Sequence, residues 1–436
     1  VTMSQGRVVR PLGACERTID FYMHRNPLQF SLVAEMDRPV PAGVLASALA
    51  TLQDRHPLLG VAVDRAAPEA VYRVSEGAIP LEVAADGTPW QSVVAVEQTR
   101  PIPPAPGPLA RAVLVPQEPG CAIVLTFAHQ ITDGVGGLRA LLDLVAALDG
   151  EELTPPGDVP HVQEDLLAHL DGAAHLDGAA HLGRTADAGD ATAGPPLDDD
   201  ERMGAVGELT PFSGRTPHVD TLALDRGLTT RLVRRCRQEG TSVHAALCAA
   251  ATVVFHRRGR EFVRVLTPVD LRRAVGLPDE VVNRFTGVRT GSAAHDAKDF
   301  WGFSRRTRAS LALQRTPAAL QAGAAALAQH APSSPGDAEA MMSAATAADI
   351  QITNLGVAYP SGQSPGRQNP SRQSPSGLSA LWGPAQITQL RGEHILGVVT
   401  VGGRLRMTEL THDPVAGLVP EIGAVLAEAC AESPHG

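Results

Sequence analysis

Aromatic residues make up 3% of this 436-residue chain, with three Trp, three Tyr and nine Phe. Any core must therefore be built mostly from Ala, Val and Leu. Lysine is nearly missing: Lys298 stands alone among 37 basic residues, a bias that reflects genome composition rather than chemistry. Against 47 acidic residues the net charge is −10. That excludes the usual nucleic-acid binder, which needs Lys and Arg to neutralise phosphates. The five cysteines are scattered and contain no CxxC pair, so reduced thiols are expected, with no disulfide frame and no metal site. No apolar run approaches the ~18 residues of a membrane span. Val1 to Arg10 lacks the apolar stretch of a signal peptide. A soluble, cytoplasmic chain is the expectation.

Apolar residues make up 44% and charged residues 19% of the chain, which is ordinary globular composition. At ~150 residues per domain the length predicts two or three units. Residues 1–150 read as mixed α/β. Strands are predicted at Gln29–Glu35, Leu58–Val63, Val71–Val74, Ala110–Val115 and Ala122–Ala128, and a helix over Val40–Arg55 with Pro41 in its first turn. Residues 151–208 are rich in Pro, Gly, Asp and Ala and poor in large apolar residues, which predicts an irregular linker. They hold a tandem hexapeptide, His169-Leu-Asp-Gly-Ala-Ala174 and His175-Leu-Asp-Gly-Ala-Ala180, too short for a solenoid. Residues 209–436 resume the α/β pattern. Strands are predicted at His218–Leu224, Phe262–Pro268, Asp349–Thr353, Ala385–Leu390, Ile395–Val401 and Arg404–Thr411. Helices fit Arg226–Glu239, Ser242–Arg257, Ala297–Leu313 and Pro414–Cys430. The Ser, Pro, Gln and Gly stretch 359–377 predicts a mobile loop.

Two motifs are decoys. Gly362-Gln-Ser364-Pro365-Gly366 fits G-x-S-x-G, but the pattern needs a strand before it, a helix after it and an N–H after the serine. Pro365 has no N–H. Gly134-Val-Gly136-Gly137 opens a predicted helix after a strand, yet its glycines do not fit G-x-G-x-x-G.

The segment His129-Gln130-Ile131-Thr132-Asp133-Gly134 carries chemistry. It follows the apolar run Cys121–Ala128 and precedes Leu138, Leu141, Leu142, Val145 and Leu148 at helical spacing. A histidine thus ends a buried strand, and imidazole titrates closest to neutral pH, as a general base requires.

Here the sequence resembles the chloramphenicol-acetyltransferase-like superfamily, whose signature is HHxxxDG. It includes condensation domains of peptide synthetases, polyketide-associated acyltransferases of the phthiocerol dimycocerosyl transferase type, and bacterial wax ester synthases. The polyketide-associated type is the most similar. Arg10-Pro-Leu-Gly-Ala-Cys-Glu16 is similar to that group's opening, Arg55-His56-Pro57-Leu58-Leu59 to "RHPxLR" and Pro108-Leu109-Ala110-Arg111 to "GPLxR". Pro268-Val269-Asp270-Leu271-Arg272 matches "PVDLR", and Thr353-Asn354-Leu355-Gly356 is similar to "SNLG". All five stand in family order and span nearly the whole chain. Ala128 departs from the pattern, standing where the first histidine belongs.

The resemblance implies an α/β fold of two chloramphenicol-acetyltransferase-like lobes, a V-shaped pseudo-dimer with a central tunnel. It implies a monomeric acyltransferase with no bound cofactor. The acyl group would move from a thioester, on coenzyme A or an acyl carrier protein, to a hydroxyl or amine of a polyketide, peptide or lipid-like small molecule. His129 is the implied catalytic base; Asp133, Gly134 and Arg272 are implied structural supports, with Asp133 paired to Arg272. An acidic carrier protein would need a basic patch, and Arg231–Arg237 and Arg257–Arg260 are candidates, although both also read as solvated helix faces. Two rival readings stay open: a wax ester or diacylglycerol synthase, and an inactive condensation-like module that recruits a carrier protein. The second rests on Ala128.

Overall fold

The computed structural model describes residues 6–67, 69–154, 157–169, 201–358 and 377–431. The first half runs β1 (Val8–Pro11), α1 (Ala14–Tyr22), β2 (Gln29–Met36), α2 (Ala42–Arg55), β3 (Val61–Asp64), β4 (Val71–Val74) and β5 (Leu81–Val83). It continues with α3 (Trp90–Glu97), β6 (Ala110–Pro116), β7 (Cys121–Ala128), α4 (Gly134–Leu148) and α5 (Gln163–Ala168). The second half has β8 (His218–Ala223), α6 (Arg226–Gln238), α7 (Val243–Arg257), β9 (Phe262–Asp270), α8 (Leu271–Val275) and β10 (Phe285–Ala293). Three helices follow: α9 (Phe300–Leu313), α10 (Pro317–Gln329) and α11 (Pro335–Thr346). The chain then forms β11 (Ile350–Val357), β12 (Leu378–Gln386), β13 (Ile395–Val401), β14 (Arg404–Thr411) and α12 (Leu418–Ala431).

β7 is buried along its whole length because both its faces are covered. Leu125 and Phe127 pack with Leu45 of α2 and Leu141 of α4, while Ala122 and Val124 pack with Val93 and Val94 of α3. The strand lies central in a five-stranded sheet of order β12-β2-β7-β6-β5. The second half forms a six-stranded sheet, β10-β9-β11-β13-β14-β8, and β1-β4-β3 makes a small third sheet. On the six-stranded sheet, α7 and α12 bury Leu247, Val254, Ile422 and Leu426 against Leu396, Val398 and Met407.

The two halves exchange material. β12 belongs by sequence to the second half, yet it pairs antiparallel with β2, Leu381 opposite Ala34 and Gln386 opposite Phe30. The strand predicted at Ala385–Leu390 is therefore displaced: it runs from Leu378 to Gln386 and sits in the other sheet. What admits it is Gly397 on β13, where a Cβ would fall 2.1 Å from the Pro384 carbonyl oxygen. Leu355, Val281 and Val282 likewise sink into the core of the first half. Each such apolar side chain contributes about 1.5–3 kcal/mol when fully buried, so the halves are fastened together rather than merely adjacent.

Other predicted elements also shift. Leu58–Val63 is not one strand: Pro57–Gly60 is a 3₁₀ turn, and β3 starts at Val61. Pro57 fixes φ and favours that turn. Pro41 caps α2 from outside it. The predicted linker 151–208 contains a docked helix, α5, in which Glu164 accepts the Cys15 N–H at 2.8 Å and Leu167 packs with Leu271, Leu277 and Leu320. The hexapeptides beyond His169, nearly all of the loop 359–377 and the decoy Gly362–Gly366 lie outside the described residues. Among the described residues no helix is long and apolar enough to cross a membrane, no cluster could hold a metal ion, and all five cysteines are free.

Candidate active site at the junction of the two halves

The β2–β7 ladder carries the chain directly into the site. Gln29 faces Ala128, and one residue on the His129 N–H donates to the Leu28 carbonyl at 2.9 Å. A tight turn follows, with the Ile131 N–H on the Ala128 carbonyl. Asp133 then caps α4, its carboxylate accepting from the Gly136 N–H at 2.8 Å.

His129 is buried, 7% exposed, and its ring lies between Phe30 of β2 and Phe285 of β10, with centroids 5.3 and 5.2 Å away. Burial pushes its pKa below the usual imidazole value. Four nearby groups work the other way: its own backbone, the Asp133 charge, the Asn283 side chain and the Thr132 backbone. Nδ1 is buried and has no hydrogen bond of good geometry. The imidazole is therefore neutral at pH 7, the state a base requires.

Asp133 faces away from that chemistry. Its Oδ2 accepts Arg272 Nη1 at 3.0 Å and the Arg284 N–H at 2.6 Å, while Oδ1 takes Gly136 and Arg272. A carboxylate so saturated has nothing left for substrate. Arg272 is 7% exposed and also donates to Asp270, to the Glu280 carbonyl and to the Val282 carbonyl. Burial alone would lower the Arg272 pKa, but Asp133 and Asp270 outweigh it and the net shift is upward. Arg272 thus stays charged and joins the helix cap of one half to the 280–284 segment of the other.

Gly134 has an ordinary negative φ, so left-handed backbone does not require it. Its reason is packing: a Cβ would sit 3.0 Å from Leu355 Cδ2 and 3.4 Å from Pro384 Cγ. The two further glycines of the decoy pattern are more constrained. At Gly136 a Cβ would fall 2.3 Å from Thr132 Oγ1, and at Gly137 2.6 Å from the Phe30 ring, the same ring that backs His129.

Sequence reading missed several participants. Asn283, 2% exposed, donates to the carbonyls of His129 and Gln130 at 2.8 and 2.9 Å. The Tyr72 hydroxyl donates to the same Gln130 carbonyl at 2.7 Å, and Gln163 of α5 accepts the Phe285 N–H at 3.1 Å. These side chains come from three separate stretches, so no local spacing announces them. The other motif residues serve the frame. His56 bonds Asp143 at 2.9 Å, Arg111 bonds Glu97 at 2.7 Å, and Arg10 holds Glu16, which caps α1.

Ala128 leaves no orphan behind. Its cross-strand neighbour Gln29 bonds entirely to backbone, at the Glu97 and Arg100 carbonyls and the Ile102 N–H. Two cavities of about 200 and 230 Å³ are outlined elsewhere, one beside α3 and β5 and the other around Arg260, Arg264 and Asp349. Neither is lined by His129, so neither is the tunnel expected there.

Comparison with known proteins bears on the fold. Residues 213–408 match the family described as phthiocerol/phthiodiolone dimycocerosyl transferase C-terminus. The structure of polyketide synthase associated protein 5 from Mycobacterium tuberculosis superposes with a TM-score of 0.65 at 16% identity, covering 100% of both chains. The first condensation domain of the CDA synthetase gives 0.62 at 14% identity over 97% of this chain and 96% of that one. An epimerization domain from the third module of tyrocidine synthetase B gives 0.57 at 13%, over 98% of each. No curated protein matches in sequence. The chain therefore has the two-lobed α/β fold of the condensation-domain, chloramphenicol-acetyltransferase-like superfamily. The second half is similar to the C-terminal part of dimycocerosyl transferases, the part that the matching family describes.

Proposed function

We propose that this protein is an acyltransferase that moves an acyl group from a thioester, on an acyl carrier protein or coenzyme A, to a hydroxyl or amine of a polyketide-, peptide- or lipid-like acceptor. The observation that carries the reading is His129: a neutral imidazole at the end of β7, where the two halves meet. Fold likeness alone does not carry it, since an epimerization domain shares the architecture.

In this reading His129 takes the proton from the acceptor O–H or N–H as that atom attacks the thioester carbonyl. The tetrahedral intermediate collapses, the C–S bond breaks, and the departing thiolate recovers the proton from the imidazolium. No acyl-enzyme is formed, and the buried thiols Cys15 and Cys248 are unsuited to form one because burial raises their pKa. Asp133, Gly134 and Arg272 hold the loop in place.

For a carrier-protein donor the arginines on α6 remain the better docking candidate. Arg231, Arg234 and Arg237 are exposed, whereas Arg257 and Arg258 are matched to Glu428 and Glu421. Intact-mass detection of acyl transfer from a panel of acyl thioesters tests the proposal. Transfer by wild type that is lost in His129→Ala supports it, and undiminished transfer in that variant rejects His129 as base. Ala128 favours the rival reading of an inactive recruiting module. Wild type that binds a carrier protein but transfers nothing from any thioester would establish that rival.

A further inference from the structure

Four stretches of chain wall the cavity of about 230 Å³: residues 205–208, Arg260 with Arg264, residues 347–349 and residues 390–392. Asp349, 7% exposed, is its anchor. The Asp349 N–H donates to the Arg264 carbonyl at 2.9 Å, and its Oδ2 accepts the Arg264 backbone N–H at 2.8 Å and Nε at 3.3 Å. Arg264 is thereby held along its Nε edge, and among the described residues no hydrogen bond reaches either of its Nη groups. Arg260 approaches the same carboxylate from the turn before β9, its Nε 3.8 Å from Asp349 Oδ1. From the turn between β12 and β13 comes Arg391, paired with the exposed Glu208 at 2.9 Å.

A fourth arginine stands behind the wall. In the β9–β10 ladder Arg264 faces Gly291 and Leu266 faces Arg289, which makes Arg264 and Arg289 diagonal neighbours on one face of the sheet. Arg289 donates to the carbonyls of Met203, Ala205 and Ala344, and among the described residues it has no carboxylate partner. Burial, and after it the charge of Arg264, lowers its pKa. Four arginines thus share two carboxylates, in a chain whose net charge is −10. Of the neighbouring acids, Asp413 is matched to Arg215 and the Gly392 N–H, and Glu261 is exposed. Glu393 is turned into its own loop by the Thr388 and Leu390 N–H groups. Positive charge gathered in a concave, partly desolvated site, against the sign of the whole molecule, attracts an anion.

We propose that this cavity is a binding site for the phosphate group of a small molecule, with Arg264 and Arg260 donating to its oxygens and Arg391 at its rim. A planar carboxylate is filled by one guanidinium edge. A phosphate offers oxygens in several directions, which suits arginines arriving from separate turns. At ~30 Å³ per water the cavity admits a phosphate and several waters. The site does not depend on the transferase reading, yet it is on the His129 side of the sheet. Residues 285, 287 and 289 of β10 alternate onto one face, so the Arg289 face also carries Phe285, the ring beside His129. Between them Gly287 leaves the face open: a Cβ there would meet only Leu266 Cδ1, at 3.5 Å. From Phe285 to Arg289 the strand advances about 14 Å, at ~3.4 Å per residue. Two sources of phosphate therefore fit, free phosphate and the phosphates of coenzyme A as thioester carrier.

Calorimetric titration of the full-length protein with inorganic phosphate and with coenzyme A, at constant ionic strength, tests it without turnover. Wild type should bind at least one of the two saturably and one to one, and the bound ligand should raise the Tm. Arg264→Gln and Arg260→Gln should each weaken binding roughly tenfold or more, as loss of a charge-assisted hydrogen bond does, and should cancel the rise in Tm. Arg260 is 61% exposed, so its variant keeps the test open if Arg264→Gln fails to fold. Arg38→Gln, an exposed arginine of the first half, should bind as wild type does. Coenzyme A bound more tightly than phosphate, and lost in the same two variants, would identify the ligand as the nucleotide-linked carrier; phosphate bound as tightly or more so would identify it as free phosphate. Absence of saturable binding by both ligands overturns the proposal. So does undiminished binding in the cavity variants, and so does equal weakening in Arg38→Gln, which would mark diffuse attraction by surface charge.

Discussion

Asp133 and Arg272 are 139 residues apart in sequence and 3.0 Å apart in space, both buried at the junction of the two halves. Neither side chain is hydrogen-bonded to the His129 ring, yet the pair decides where the His129 loop sits. Removing one partner leaves the other charge buried without compensation, which costs about 3–5 kcal/mol. Arg272→Ala and Asp133→Ala should each lower the unfolding free energy by that order, and the double variant should lose far less than their sum. Arg272→Lys should not rescue. A single ammonium cannot span Asp133, Asp270 and the Glu280 and Val282 carbonyls that the guanidinium reaches. Chemical denaturation of the four proteins measures all of this.

Gly134 and Gly137, both at the start of α4, should differ in sensitivity. Gly134→Ala meets Leu355 and Pro384 at 3.0 Å or more, and side chains can yield by a few tenths of an ångström. Gly137→Ala drives a methyl to 2.6 Å from the Phe30 ring, which is fully buried and backs the imidazole. Overpacking of that kind costs about 1–3 kcal/mol. Gly137→Ala should therefore be the more destabilising, and it alone should shift the His129 ring resonances. Equal stabilities and unshifted resonances would show that Phe30 moves aside freely.

Much of this arrangement was legible in the sequence, and the missing parts share a cause. Ile395–Val401 and Arg404–Thr411 form as read because alternation and flanking glycines are local signals. Asn283, Phe285 and Tyr72 reach the site through tertiary contact, which periodicity does not encode. β10 was missed because Gly287 and Gly291 dilute its strand character, and α10 because it is largely alanine and buries only Leu320. β12 was misplaced for a further reason. A strand's sequence shows that it pairs, not which sheet it joins, and here it joined the sheet of the other half.

That crossover gives a prediction. The Pro384 carbonyl seats against Gly397 because no side chain intervenes, with a Cβ there falling 2.1 Å from the oxygen. The clash is with backbone, so no rotamer change relieves it. Gly397→Ala should unseat β12 from β13 and loosen its pairing with β2. Hydrogen exchange should show faster amides in 380–386 and in Phe30–Ala34, with β6 and β14 protected as before. Protection unchanged in β2 would mean that β12 does not depend on that seat.

Glu393 sets a pH dependence of opposite sign to that of His129. It is buried in the turn between β12 and β13, where it accepts from the Thr388 N–H, the Thr388 hydroxyl and the Leu390 N–H. Burial raises its pKa to about 7, with those hydrogen bonds opposing. An acid whose folded pKa lies above its unfolded value of 4.5 binds its proton more tightly when folded. Its contribution to stability is full below pH 4.5 and is lost as pH rises through 7, amounting to about 3 kcal/mol. His129 runs the other way: its depressed pKa makes stability rise with pH through the ordinary imidazole range near 6.5. Wild type alone mixes the two effects, so the comparison must be with Glu393→Gln. The amide cannot satisfy every donor that faces it, so Gln lowers stability at all pH values, but it removes the titration. Unfolding free energies at pH 5, 6, 7 and 8 should converge between the two proteins as pH rises. Parallel curves would show that Glu393 is ionised throughout, its hydrogen bonds having overcome the cost of burial.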